Sequence, residues 1–137
     1  MRKLNSDDFQ RVFDGTGPLS SFSAKILIGY SLRLYGEVFR HDMDIIRELR
    51  NGFAHTRMPL AFEQPEVAAM CAQLRMASHP ELSWLPVPYS TRFDLDIVGD
   101  NNHPRTRFTR ACHTISVCLL DQGHAKIGLG GVERQLP

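Results

Sequence analysis

The chain has 137 residues and a mass of 15.5 kDa, the size of one domain, and its 42% hydrophobic and 23% charged residues argue against a chain disordered throughout. A formal charge of +1 argues against a protein that holds nucleic acid through its overall field, while leaving room for a local basic patch. Thirteen of the sixteen basic residues are arginines, which suit bidentate pairing with carboxylate or phosphate.

The first predicted element is a short helix. Ser6 is placed to cap it, Asp7 and Asp8 suit its positive end, and Phe9, Val12 and Phe13 form its apolar edge. The turn cluster Gly15-Thr16-Gly17-Pro18 stops it. A second helix is capped by Ser20 or Ser21, carries Phe22, Ile26, Tyr30 and Leu34 at helical spacing, and ends at Gly36. Its surface is apolar nearly all round, so it is expected to be the central, buried helix.

A third helix is predicted from about Val38 to about Ala54. Phe39, Met43, Ile45, Ile46, Leu49 and Phe53 fill one half of its wheel, while Arg40, Asp44, Arg47, Glu48, Asn51 and His55 fill the other. Arg50 breaks the sorting, at the edge of the apolar arc. A fourth helix starts near Pro65, with Val67, Met70, Cys71 and Leu74 as its stripe.

The stretch SHPELSWLPVPYS has three prolines and reads as a connection that Trp84 either pins to the core or offers to a partner. Near 91–98, Phe93, Leu95 and Ile97 alternate with Arg92, Asp94 and Asp96, the period of a short extended segment. The last helix is expected from Pro104 to about Leu120, capped by Asn102 or His103, with Phe108, Cys112, Ile115 and Leu119 as its stripe. Residues 1–121 thus read as a single all-α domain of about four to five helices, and 122–137 as a flexible tail. Gly128-Leu129-Gly130-Gly131 in that tail is a poor phosphate loop, without a preceding strand or a following helix.

Cys71, Cys112 and Cys118 are odd in number and read as reduced thiols of a cytoplasmic protein. The first fifteen residues lack the apolar run of a secretion signal, and no segment has the roughly 20 apolar residues of a membrane span. His41, Cys71, His79, His103, His113 and His124 lack the short paired spacings of a zinc site, so neither metal nor cofactor is expected.

The informative segment is Arg47-Glu48-Leu49-Arg50-Asn51-Gly52-Phe53-Ala54-His55. Arg50, Asn51 and His55 match the R-N-x-x-x-H signature, and the segment resembles the HEPN superfamily. GTGPLSSFSAKILIGYSL, DMDIIRELRNGFAH and PLAFEQPEVAAMCAQLR around it resemble the mannitol operon repressor family of small all-α regulators. The likeness is continuous from about Gly15 to about Arg75 and returns at Pro104–Leu120; nothing is carried over at Pro80–Asn102. About a dozen residues stand where that family has a long first helix. A truncated member, a start assigned late, or a partner covering the exposed groove would each account for it.

The resemblance implies an HEPN-like helical bundle, a homodimer, and a non-enzymatic transcriptional regulator working through a protein partner. The absence of a helix-turn-helix pattern agrees with that, because the long helices are too apolar to lie in a DNA groove. The alternative it implies is a metal-independent ribonuclease, with RNA as partner. There His55 would move a proton, Arg50 would hold phosphate, and Asn51 would orient the backbone or ring. In an ideal helix Arg50 and His55 diverge by about 140°, so that site needs a distortion at Gly52 or a second subunit. The competing structural reading has Arg50 anchored by Asp14, Asp42 or Asp44, and His55 capping helix-end carbonyls. Arg47, Arg105, Arg107 and Arg110 complete the candidates, as interface or phosphate-contacting residues.

Overall fold

The computed structural model describes residues 5–56, 59–78 and 100–126. These residues form an all-α bundle of five helices: α1 Ser6–Phe13, α2 Phe22–Ser31, α3 Glu37–His55, α4 Pro65–Ala72 and α5 Pro104–Lys126. The extended segment expected near 91–98, Trp84 and the glycine-rich stretch 128–131 all lie outside the described residues.

Local chemistry sets the helix starts. Asn5, rather than Ser6, caps α1, its Oδ1 accepting the Asp8 N–H at 2.7 Å. Ser21 caps α2 by accepting the Ala24 N–H at 3.1 Å, and Pro65 opens α4 where its missing N–H costs nothing.

The end of α2 corrects the expectation that Gly36 stops it. The helix closes at Ser31 with two bonds, Leu34 N–H to Gly29 C=O at 3.0 Å and Arg33 N–H to Tyr30 C=O at 2.9 Å. That pairing is a Schellman motif, and Arg33 occupies its left-handed position at φ 56°. Gly36 instead stands as the N-cap of α3.

The central helix is α3, not α2. It packs on α2 along one side and on α4 and α5 along another, and Phe39, Met43, Ile45 and Leu49 are buried. Helix α2 packs on α3 and buries only Ile26 and Gly29, leaving Phe22, Leu27 and Ile28 exposed. An apolar helix with neighbours along one stripe can hide only that stripe. At the α2–α3 junction the Tyr35 ring stacks on Phe39 at 4.9 Å, and its hydroxyl donates to the Ile26 carbonyl at 2.7 Å. Gly29 makes room for it, since a Cβ there would lie 2.5 Å from the Tyr35 hydroxyl.

A polar clamp holds the chain leaving α4. Asp42 is fully buried, and its Oδ2 accepts the N–H groups of Arg75 at 2.8 Å and Met76 at 2.7 Å. From α5, Arg107 donates to the Leu74 carbonyl at 2.6 Å. Together they seat Leu74 and Met76 in the core.

Helix α5 runs on to Lys126, so residues 122–126 are helical where a flexible tail was expected. Gln122, within that extension, is buried.

Candidate functional site

Arg50, Asn51 and His55 all lie on the last turns of α3, and all three are exposed. The helix continues undistorted through Gly52, whose carbonyl accepts the Thr56 N–H at 3.1 Å. Arg50 and His55 therefore keep the divergent directions of a regular helix, and one subunit does not bring them together.

Arg50 donates to Asn51 Oδ1 at 3.3 Å. Among the described residues no carboxylate pairs with it, which corrects the expected anchoring by Asp14, Asp42 or Asp44. Asp42 is occupied by the clamp and by the neighbouring His41 ring at 3.1 Å. Asp44 lies 3.8 Å from Arg40 and 3.7 Å from Arg47.

Arg50 and Asn51 open onto a cavity of about 580 Å³ between the start of α2 and α3, whose wall also carries Ser21, Ser23, Lys25 and Arg47. Arg47 fastens one side of it, donating to Ser23 Oγ at 3.1 Å. His55 is not part of this wall.

Of the arginines expected to share a patch on α5, Arg105 and Arg107 separate. Arg105 is exposed, whereas Arg107 turns inward to the Leu74 carbonyl. The spacing explains this, because residues two apart on a helix do not face the same way.

Adjoining the cavity between α2 and α3, with Phe22 and Lys25 common to both, is an apolar groove of about 370 Å³, lined also by Phe13, Ile28, Leu32, Leu34 and Leu119. Leu32, in that lining, is 64% exposed. Sequence reasoning missed this surface by placing α2 in the centre. It also missed Asp42, although the signal was present. Asp42 lies three residues from both Phe39 and Ile45 and seven from Leu49, on the buried stripe itself.

The thiols are poor nucleophiles. Burial pushes Cys112 and Cys118 up to about 11, assisted by nearby Cys71 and Asp121 respectively. Cys71 is raised by burial too, with Arg107 pulling the other way. Among the described residues no group of three histidine, cysteine, aspartate or glutamate side chains could hold a metal ion, and no helix is long and apolar enough to cross a membrane. Comparisons with known proteins find no match among family models, curated proteins or solved structures.

Proposed function

We propose that this chain is a cytoplasmic, non-enzymatic transcriptional regulator resembling the mannitol operon repressors, acting as a homodimer and through protein contacts rather than by reading DNA. The observation that carries the contact-based reading is the apolar groove beside α2. Its lining includes four exposed apolar side chains, Phe22, Ile28, Leu32 and Leu34. An exposed apolar patch that can meet the same patch on a second copy is what a two-fold contact between identical chains requires. Each leucine removed from water there contributes about 1.5–3 kcal/mol. The transcriptional role follows from the likeness of the segments around Arg50 to that family. Light scattering over a concentration series tests the contact. The expected mass is twice that of the chain, and a monomer at every concentration contradicts the reading.

A second reading, the metal-independent ribonuclease, is favoured by one observation. Arg50 and Asn51, which meet no carboxylate among the described residues, face a cavity that Lys25 and Arg47 also line. It requires the His55 of a second copy to reach that cavity, because His55 of the same chain is not in its wall. RNA incubated with the wild type and with His55→Ala separates the readings. Cleavage lost in a folded His55→Ala variant supports the nuclease, and no cleavage at any RNA length removes it.

A further inference from the structure

We infer that the cavity between the start of α2 and the second half of α3 binds the phosphate group of a small phosphate monoester. It depends neither on dimerisation nor on His55, so its test fails or succeeds separately from the readings above.

Three cationic side chains, Lys25, Arg47 and Arg50, line the cavity, and among the described residues no acidic one does. Two of them are uncompensated. Lys25 has the Phe13 ring, 6.0 Å away, as its neighbour, and Arg50 has the Asn51 amide at 3.3 Å. Among the described residues neither pairs with a carboxylate. Arg47 is shared with Asp44 at 3.7 Å and Glu48 at 3.6 Å, distances that neutralise it in part. An exposed cation normally gains little from its surroundings; several converging on one concavity repel one another until an anion enters.

The remaining wall is suited to the same guest. Ser21 and Ser23 bring hydroxyls, and the first turn of α2 brings backbone N–H groups and the positive end of its dipole. Arg47 and Arg50 are three apart on α3, so they present their donors on one face, and the bond from Arg47 to Ser23 fixes that face against α2. The guanidinium fork of Arg50 matches two phosphate oxygens at once.

Size and charge distinguish the carrier. About 580 Å³ is the volume of a small-molecule pocket, leaving room for an organic group beside the phosphate. A nucleic-acid strand would instead follow a line of cations over the surface, and the inward turn of Arg107 breaks up the candidate line on α5.

The test is calorimetric titration of the full chain with inorganic phosphate, glucose 6-phosphate, glucose, sodium chloride and a short single-stranded oligonucleotide, each at matched ionic strength. Amide shifts of Ser23 and Asn51, which line this cavity and not the apolar groove, locate the binding. Glucose 6-phosphate is expected to bind more tightly than inorganic phosphate, to move those amides, and to lose about tenfold in affinity in either Lys25→Gln or Arg50→Gln, the loss of one charge-assisted bond. Both positions are exposed, so the variants should unfold like the wild type. Equal response to sodium chloride, unchanged affinity in both variants, sugar phosphate no better than inorganic phosphate, or binding of the oligonucleotide alone would each overturn the proposal.

Discussion

Asp42 accepts the backbone N–H of Met76 at 2.7 Å, joining residues 34 positions apart through a carboxylate that is fully buried. The same oxygen takes the Arg75 N–H. Removing it leaves two N–H groups without their acceptor at the edge of the core. Asp42→Ala is therefore expected to lower stability by about 2–4 kcal/mol. Urea denaturation measures it; a loss below about 0.5 kcal/mol, the range of ordinary surface substitutions, would show that the clamp contributes little.

Arg33 sits in the left-handed region at φ 56°, where a Cβ is strained and glycine is not. Arg33→Gly is expected to stabilise the chain by about 0.5–1 kcal/mol. The check is the thermal midpoint, which should rise; a fall would mean that the arginine side chain contributes more than its backbone costs.

Two thiols, Cys118 buried and Cys112 half-buried, set a limit at alkaline pH. Cys112 and Cys118 are raised from an ordinary value of 9.0 to about 11, so the folded state favours their neutral forms. Their contribution to stability is complete below pH 9 and is lost as the pH rises through 11. Denaturation midpoints should hold steady up to pH 9 and then decline. Replacing both cysteines by serine should flatten that decline, and an unchanged slope would assign it to other groups.

Much of the fold was readable in the sequence because helical periodicity and end signals are local. Pro65 and Ser21 mark helix starts as their chemistry demands, and Phe39, Met43, Ile45 and Leu49 of the α3 stripe are buried where their spacing placed them, whereas Phe53 at its far end is exposed. What failed was non-local. The apolar composition of α2 said that it wanted burial, but which of its faces meets a neighbour depends on tertiary packing, and α3 covers one stripe alone. Arg33 in a glycine conformation carries no sequence signal. At the candidate site the R-N-x-x-x-H spacing located Arg50 and Asn51 on an open surface, whereas the cavity formed with Lys25 and Ser23 depends on how α2 lies across α3.

Sedimentation velocity of the wild type beside Leu32→Glu tests the contact-based account most directly. Leu32 is 64% exposed and makes few contacts to lose, so a carboxylate there should leave folding intact while opposing burial of the groove. The expected result is a dimer for the wild type and a folded monomer for Leu32→Glu. Identical sedimentation of the two proteins would contradict an account in which this chain works by laying its α2 groove against another.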